Sequence, residues 1–452
     1  MSTSAIVVGG GLSGIAAALR LADAGATVQL VDGRPRLGGA AFSFRRRDLS
    51  IDNGQHVFLR CCEAYRELVR RLDGEDNVVL QPRLSIPILA PGGRSAKLSR
   101  LPGVPAPLHL SAALAGYRLL SVTDRARAVA GALALRRLDP ANAALDAQTL
   151  GAFLRDHGQT DAIITALWGV VGTATLNLNP NEASLALAAK VFRTGLLDHA
   201  PASDVGYAAT PLGALHSDAA ARALDAAGVE VLLAHRAERV QPVDAGMSVA
   251  ARTRDGSRQL VADAVVLAVP HYEAFPAAPV LAETPAAAAA DLGSSAIVNV
   301  HVIYDRRVTD LPFAAAVRSP VQWFFDRTDT SGLKEGQYLA VTVSAADGIV
   351  DEPSRSLQAR YAAALADLLP AATRATVVDA FVTRERRATF RQAAGSAARR
   401  PAADTGVDGL WLAGAWTDTG WPDTMESAVR SGLAAAEGVL GAAGSRGSEL
   451  AA

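Results

Sequence analysis

The first 32 residues combine a short apolar run, an amphipathic stretch and a second apolar run. Residues 5–8 are small or β-branched, which is typical of a central parallel strand. Residues 12–21 repeat apolar side chains at helical spacing, and Gly25 stands where a glycine commonly ends a helix. Residues 27–31 are again mostly apolar and lead to Asp32. The pattern predicts a strand, a helix and a second strand.

Three glycines join the first strand to the helix. Gly9, Gly11 and Gly14 match the pattern G-x-G-x-x-G, which allows a tight turn, a close pyrophosphate and close helix packing. The helix N-terminus attracts phosphate, and Asp32 would accept hydrogen bonds from ribose hydroxyls and repel the 2′-phosphate of NADP. The unit predicts dinucleotide binding. The alternative is an α/β turn without a ligand, in which Asp32 is merely solvated.

The rest of the chain mixes the two kinds of periodicity. Residues 297–304 and 338–343 alternate or run apolar, as sheet strands do, whereas residues 108–200 have a mainly helical pattern. A second region that contains both helices and strands is therefore expected.

Three stretches with little charge raise the question of a membrane span. Residues 1–19 lack a basic start and contain four glycines, so they favour strand, turn and helix over a signal peptide. Residues 162–181 are long enough to span a bilayer but contain glycine, asparagine and proline, which favours a buried helix ending in a polar loop. Residues 101–120 form either a core helix after a proline-rich connector or an apolar surface that dips into the bilayer interface.

Composition narrows the classes of protein. With 452 residues, half of them hydrophobic and 20% charged, the chain can form two or three domains, and a disordered protein is excluded. The 44 basic and 45 acidic residues give a net charge of -1, which argues against a nucleic-acid partner. The adjacent Cys61 and Cys62 suit a reducing cytoplasm, and we expect both to be buried by helix packing. Histidine and cysteine spacing indicates no metal site.

The chain after Asp32 contains a second glycine pair, Gly38-Gly39, and then Asp52-Asn53-Gly54-Gln55-His56. This continuation resembles the flavoprotein superfamily of amine oxidases, phytoene desaturases and squalene-pathway enzymes. Residues 228–240, 264–270 and 410–432 resemble later parts of that superfamily in the same order. The resemblance implies FAD as the cofactor and a helix N-terminus near residue 425 that faces the flavin ring. It assigns the following residues to the cofactor: Gly9, Gly11, Leu12, Ser13, Gly14, Asp32, Gly33, Arg34, Gly38, Gly39, Ala237, Gly414 and Met425.

Two segments narrow the resemblance. Residues 52–56 and 416–420, supported by residues 168–185, are similar to the hydroxysqualene dehydroxylase family. The resemblance implies reductive removal of the hydroxyl of hydroxysqualene to give squalene, with hydride passing from reduced flavin to an allylic cation. Asp52, His56 and Asp418 are the candidate catalytic residues.

Each candidate also has a structural interpretation. Residues 52–56 could be a simple turn, and His56 a structural hydrogen-bonding residue. Asp418, Asp423 and Glu426 could stabilise a helix N-terminus. The superfamily usually has an acidic residue directly after Gly414, where this chain has Ala415. Either Asp418 or water takes that place, or FAD affinity is reduced.

The predicted fold class is α/β. A Rossmann-like FAD domain with a central parallel sheet is expected from residues 1–90, 205–270 and 385–452. An α+β substrate domain, residues 91–204 and 271–384, is inserted between these segments. The expected partners are an isoprenoid substrate, upstream squalene-pathway synthases, an electron donor that no motif identifies, and the membrane surface. The expected location is the cytoplasm, with peripheral contact at the inner face of the cell membrane. A phytoene-type desaturase, a flavin amine oxidase and a prenyl-binding protein resembling GDP-dissociation inhibitors are the rival interpretations.

Overall fold

The structure is a computed structural model that describes residues 3–449, and the strands in this range form five sheets. In chain order the strands are β1 (Ser4–Val8), β2 (Thr27–Asp32), β3 (Ser43–Arg46), β4 (Leu49–Asp52), β5 (Val57–Leu59), β6 (Val78–Leu80), β7 (Ser85–Ala90), β8 (Arg94–Ser99), β9 (Val205–Ala208), β10 (Glu230–Leu233), β11 (Arg236–Val243), β12 (Gly246–Thr253), β13 (Gly256–Ala262), β14 (Ala264–Leu267), β15 (Ser294–Tyr304), β16 (Phe313–Ala316), β17 (Trp323–Asp326), β18 (Gln337–Val343), β19 (Val377–Phe390) and β20 (Leu410–Leu412).

A five-stranded parallel sheet contains the amino-terminal motif. Its order is β10-β2-β1-β14-β20, with β1 in the centre. Ile6 and Val7 on β1 are fully buried, as expected for a strand that is covered on both faces. The predicted central strand and the α/β fold class are therefore confirmed. The sheet joins strands from the beginning, the middle and the last part of the chain.

A seven-stranded sheet forms the second large layer. Its order is β19-β15-β18-β17-β16-β7-β8, and all its neighbours are antiparallel except β16 and β7. The strands predicted at residues 297–304 and 338–343 lie within β15 and β18, which confirms them. The smaller sheets are β11-β12-β13, β3-β4 and β5-β9-β6.

The region between β8 and β9 consists of helices and loops, as the helical pattern of residues 108–200 predicts. Two π-helical turns, Ile164–Trp168 and Arg193–Leu197, follow α6 and α8 without a break. The helices are α1 (Leu12–Asp23), α2 (Glu63–Arg71), α3 (Ser111–Ala115), α4 (Val122–Arg136), α5 (Leu150–Asp156), α6 (Asp161–Ile163), α7 (Gly169–Leu176), α8 (Leu185–Phe192), α9 (Ala219–Ala226), α10 (His271–Ala277), α11 (Thr328–Ser331), α12 (Ser354–Leu368) and α13 (Met425–Glu449).

The strands of the seven-stranded sheet affect where the predicted cofactor domain and substrate domain begin and end. Both β7, which ends at the predicted boundary of residue 90, and β19, which crosses the boundary at 385, belong to the seven-stranded sheet. We therefore propose the same division with its boundaries moved to before Ser85 and after Phe390. The division itself remains a prediction.

Two local expectations need correction. Cys61 and Cys62 are partly exposed free thiols, and Cys62 is the residue from which α2 starts, so the prediction that both are buried is wrong. Residues 101–120 have features of both alternatives, the core helix and the exposed apolar surface. Tyr117, Leu119 and Leu120 are buried, whereas Leu108 is 62% exposed. Within residues 3–449, the structure has no helix that is both long and apolar enough to cross a bilayer.

Candidate active site

The two glycine segments predicted to bind the cofactor lie against each other. Gly38 donates its backbone N–H to the carbonyl of Gly10 at 2.8 Å. A Cβ atom on Gly39 would lie 2.7 Å from Cα of Gly11, so a side chain would force these segments apart. We call residues 9–14 and 38–39 the glycine loops. Their contact forms a continuous backbone surface at the end of β1.

The start of α1 is suited to a phosphate. Gly11 precedes the helix, no side chain caps the helix, and the first turn contains no acidic residue. The amides of Leu12, Ser13 and Gly14 therefore remain the natural donors for an anion. A Cβ on Gly11 would have one neighbour, the Cα atom of Gly39 at 3.7 Å, so the space in front of these amides is open. The loop fits a dinucleotide pyrophosphate.

Asp32 accepts two backbone hydrogen bonds that the sequence does not reveal. Its Oδ2 accepts the N–H of Gly10 at 2.6 Å, and its Oδ1 accepts the N–H of Arg34 at 2.7 Å. Each carboxylate oxygen can accept a second hydrogen bond, so ribose hydroxyls still have acceptors. Asp32 thus fixes the first glycine loop, and its role toward a ribose stays a prediction.

Residues 234–237 run beside the end of β2, where the resemblance places the adenine. His235 donates its N–H to the carbonyl of Asp32 at 2.9 Å. A Cβ on Gly33 would lie 3.2 Å from Cβ of Arg236. Ala237, the next residue, is partly buried. These contacts place His235 and Arg236 beside Asp32 and Gly33, and the roles of Gly33 and Ala237 toward adenine stay predictions.

Gly432, about two turns into α13, lies against the first turn of α1. A Cβ on Gly432 would lie 2.0 Å from the backbone oxygen of Ser13, so the two backbones are in direct contact at that point. Gly414 donates its N–H to Oγ of Ser431 at 2.8 Å, which ties the end of β20 to the same helix. Met425, Gly414, Ser13 and the glycine loops therefore belong to one region of the molecule.

The segment after Gly414 is held by a buried arginine, not by an acid. Arg400 donates to the backbone oxygens of Ala415, Trp416 and Thr417. Asp418 is exposed, and its carboxylate accepts the N–H of Gly420 at 3.2 Å. This position favours a turn-forming role for Asp418, and its assignment to catalysis stays a prediction.

Asp52 is buried and fully engaged. Its Oδ1 accepts hydrogen bonds from Ser43 Oγ at 2.6 Å and from Leu212 N at 2.9 Å. Its Oδ2 accepts a hydrogen bond from the buried guanidinium of Arg327 at 2.6 Å. Asp52 therefore acts as a hydrogen-bond acceptor that joins β4 to residues 43, 212 and 327. The geometry favours a positioning role for Asp52, which holds the loop of His56 in place. It does not favour a role as a proton donor.

His56 is partly buried and lies close to a second histidine. Burial lowers the pKa of His56, and the nearby charge of Asp52 raises it in part. His216 is fully buried, its pKa falls to about 3 mainly because of that burial, and its Nε2 lies 2.8 Å from the hydroxyl oxygen of Tyr65. Both imidazoles are therefore neutral at pH 7, which suits hydrogen bonding better than proton donation.

Aromatic rings form one wall beside His56. A narrow cavity is lined by His56, Gln55, Tyr207 and Phe325 among others. Phe325 stacks on Trp323 with 6.3 Å between ring centroids, and Trp323 lines a larger open cavity against residues 164–173. We call Tyr207, Phe313, Trp323 and Phe325 the aromatic wall. The stacked pair links the open cavity to the space at His56.

Trp416 and Trp421, two aromatic residues between β20 and α13, have different surroundings. Trp416 is buried and donates its indole N–H to the carbonyl of Val269 at 2.8 Å, so it fills the core. Trp421 has the ammonium of Lys190 at 4.7 Å on its ring and the guanidinium of Arg430 at 5.2 Å. Neither ring belongs to the aromatic wall.

Sequence reasoning missed the residues that complete the site. Arg327, Arg400, Tyr207 and Phe325 lie in no motif, and the two arginines are among 41 in the chain. Their roles depend on contacts with segments far away in the sequence. The buried ion pair with Asp52 distinguishes Arg327 in the folded chain, but local spacing contains no such signal.

A family model described as flavin containing amine oxidoreductase matches residues 12–440 of this chain. The match covers most of the sequence, from the start of α1 to residue 440 within α13. The chain therefore belongs to the flavin-containing amine oxidoreductases, its cofactor is FAD, and it is an FAD-dependent oxidoreductase.

Individual relatives refine this assignment. A hydroxysqualene dehydroxylase of Rhodopseudomonas palustris is 32% identical over 448 residues, covering 98% of this chain and 99% of the relative. A zeta-carotene desaturase of Zea mays is 26% identical, covering 96% of this chain and 83% of the relative. The crystal structure of an oxidoreductase from Methanosarcina mazei has the same fold, with a TM-score of 0.72, 15% identity, and coverage of 96% of this chain and 100% of that one. Within its family, the chain belongs with the hydroxysqualene dehydroxylases.

Proposed function

We propose that this protein reduces hydroxysqualene to squalene. The observation that carries the proposal is the aromatic wall beside His56, which adjoins the loop of Asp52. An isoprenoid is an apolar chain, and aromatic and aliphatic side chains are the usual lining of a site for such a ligand. The full-length similarity to the dehydroxylase of Rhodopseudomonas palustris supports the same substrate.

The chemistry of the substrate sets what the residues must do. Breaking the allylic C–O bond leaves a delocalised cation, and FAD supplies a hydride to carbon when it is bound in its reduced form. The faces of Tyr207 and Phe325 would stabilise positive charge through their ring quadrupoles. The apolar lining would keep water away from the cation, which water would otherwise capture. The protein orients the substrate and excludes solvent.

The direct test is a product assay. Purified protein with chemically reduced FAD is incubated with hydroxysqualene, and squalene is measured by gas chromatography. Formation of squalene at a rate proportional to enzyme is expected. No squalene from a preparation that retains FAD would overturn the proposal.

A variant pair tests the role of the aromatic wall. Phe325→Ala should lower kcat because it removes a ring from the space beside His56. Phe44→Ala, in which an aromatic side chain outside the aromatic wall is truncated, is the matched control and should retain squalene formation. Equal activity of the two variants would contradict the role of the wall.

The second candidate function is the desaturation of a carotenoid precursor, which the similarity to the desaturase of Zea mays favours. Oxidised protein incubated with phytoene or ζ-carotene separates the two reactions. A new conjugated chromophore would indicate a desaturase. An amine oxidase would release hydrogen peroxide from amines, and a GDP-dissociation-inhibitor-like protein would purify without a flavin spectrum.

We also propose that the protein works at the inner face of the cell membrane. Three large apolar side chains on α4 point outward: Val122 is 73% exposed, Val129 46% and Leu133 42%. Spacings of seven and four residues put them on one helix face. Residues 118–137 contain five arginines and one acid, and such a basic flank attracts anionic lipid headgroups. Leu108, from the stretch that the sequence singled out, is also exposed.

Vesicle sedimentation tests this surface. The protein should sediment with vesicles of phosphatidylglycerol and phosphatidylcholine, less at high salt, and less with phosphatidylcholine alone. Val129→Glu combined with Leu133→Glu should reduce the bound fraction at least tenfold. Val261→Glu, at an exposed valine elsewhere, is the control. Equal sedimentation of the two variants would exclude α4 as the contact.

The remaining proposed partners follow from the reaction. Squalene-pathway synthases upstream would supply the hydroxylated substrate. Each turnover consumes two electrons through reduced FAD, so a reductase or a small electron carrier must restore it. Stopped-flow measurement of flavin reduction with purified candidate donors would identify that partner.

A further inference from the structure

Asp423 lies where the seven-stranded sheet meets the helix that follows the cofactor sheet. Its Oδ2 accepts the backbone N–H of Phe390, the last residue of β19, at 2.8 Å. Its own N–H donates to Oε1 of the fully buried Gln392 at 2.9 Å. Met425, at the start of α13, is two residues farther along the chain. Asp423 therefore bridges the sheet expected to bind substrate and the helix expected to face the flavin.

The carboxyl group of Asp423 is not used as a helix cap. Thr424 takes that position for α13, because its Oγ1 accepts the N–H of Ser427 at 3.3 Å. Glu426 instead accepts the N–H groups of Ala64 and Tyr65 at the start of α2. A role in stabilising a helix N-terminus therefore holds for Glu426, although the helix is α2 and not α13. It does not hold for Asp423.

Asp423 is also not neutralised by an ion pair. The charged group that faces it is Arg400, but the hydrogen bonds of that guanidinium go to backbone oxygens of residues 415–417. Burial among protein atoms raises the pKa of Asp423 to about 6, with the Phe390 N–H and Arg400 opposing the rise. The other charged side chains around this corner are engaged elsewhere: Arg391 with Glu182 and Asp347, Glu426 with Arg430, and Asp146 with Ser184 and the N–H of Ala397.

The three candidate catalytic residues from the sequence, Asp52, His56 and Asp418, are less suited than Asp423 to donate a proton. Asp52 is paired with Arg327, His56 has a lowered pKa, and Asp418 is exposed on a turn. A donor in this reaction must hold a proton near neutral pH and lie at the border of cofactor and substrate. Among these four residues, Asp423 is the one that meets both requirements.

We infer that Asp423 is the catalytic acid that protonates the hydroxyl of the substrate. This inference rests on the proposed function. The proton passes from the Asp423 carboxyl to the hydroxyl oxygen, the C–O bond breaks, and its electron pair leaves with water. The carbon then accepts the hydride of the proposed reaction, and Asp423 regains a proton from solvent before the next turnover.

The test compares the holoenzyme of wild type with Asp423→Asn, Asp423→Glu and Asp404→Asn. Asp404 is an exposed turn residue and serves as the control. At pH 6, Asp423→Asn should lower kcat for squalene formation by about 10²- to 10⁴-fold, the usual contribution of a general acid, with KM changed less than threefold. Asp423→Glu should restore part of kcat, and Asp404→Asn should match wild type.

Two further measurements distinguish an acid from a structural residue. The kcat of wild type should fall as the pH rises through about 6, and this dependence should disappear in Asp423→Asn. Infrared difference spectra between pH 5 and pH 8 should show a carboxylic acid band in wild type that Asp423→Asn lacks, while the flavin absorption spectrum stays the same.

Each negative result has a distinct meaning. Wild type that makes no squalene overturns the proposed function and this inference with it. Active wild type together with an Asp423→Asn variant that retains more than a tenth of kcat overturns the inference alone. Should the variant fail to retain FAD, a wild-type kcat that rises between pH 5 and pH 8 overturns it.

Discussion

The glycine loops and the space around His56 are built in different ways. The glycine loops are backbone surfaces formed by short contiguous segments, and their close packing depends on missing Cβ atoms at Gly14 and Gly39. The space around His56 is formed by side chains from distant segments, such as the Asp52 and Arg327 pair, which are 275 residues apart. A local motif can specify the first kind of site but not the second. The two regions should also respond differently to substitution.

The largest effect is expected in the glycine loops. Gly14→Ala would place a Cβ 1.8 Å from the backbone oxygen of Gly9, and backbone cannot move aside as a flexible side chain can. The variant should purify without FAD and unfold at a lower temperature. Gly348→Ala, where nothing lies within 4 Å of the added carbon, should retain its flavin spectrum. An FAD-loaded Gly14→Ala protein would show that the loop can adjust.

Around His56, the largest effect should come from the buried ion pair. Arg327→Met leaves the Asp52 carboxylate buried without its cation, which typically costs about 3–5 kcal/mol of the free energy of unfolding. Thermal unfolding followed by circular dichroism measures the change. Arg70→Met removes an exposed pair with Glu67 and should leave the unfolding temperature almost unchanged. Similar temperatures for the two variants would mean that the buried pair adds no stability.

In the seven-stranded sheet, one buried histidine should make the free energy of unfolding depend on pH. Burial lowers the pKa of His301 to about 3, and its ring nitrogens contact the hydroxyl groups of Tyr338 and Thr383. In the unfolded chain the imidazole takes up a proton below about pH 6.5, so its contribution to stability is full above that pH and is lost as the pH falls toward 3.

The measurable consequence lies between about pH 4 and 6. His301→Gln should reduce the slope of unfolding free energy against pH by about 1.4 kcal/mol per pH unit. The exposed His157→Gln is the control and should keep the wild-type slope. An unchanged slope in His301→Gln would argue that His301 is not buried as a neutral group.

The smallest of these effects is expected for Asp32, since we expect the backbone N–H groups of the glycine loops to contribute most of the FAD binding. Asp32→Ala removes a charged acceptor, and a charge-assisted hydrogen bond contributes about 1.5–3 kcal/mol. The dissociation constant for FAD should rise roughly 10- to 150-fold, as measured by fluorescence titration of the apoprotein. Asp225→Ala, an exposed substitution on α9, is the control. Unchanged FAD retention in Asp32→Ala would contradict the ribose role.

The difference between the glycine loops and the space around His56 also determines which residues could be predicted from the sequence. The strand, the glycine turn, the helix and Asp32 follow from local spacing, because each depends on near neighbours in the chain. Arg327 and Arg400 could not be found in this way, because their partners lie in other segments. The sequence also did not reveal that backbone N–H groups occupy both oxygens of Asp32, or that Glu426 caps α2. Apolar pattern identified the region of residues 101–120 but could not tell which side chains turn outward.

The order of strands in the parallel sheet has a consequence for biosynthesis. The glycine loops lie within residues 9–39 and are synthesised early. In contrast, β20 and α13, which pack beside β14 and α1, come from residues 410 onward. During translation, the amino-terminal part of the predicted cofactor site must therefore remain without these neighbours until residues 410 onward have been synthesised. FAD that binds at both segments would then link two parts of the site that are synthesised at very different times.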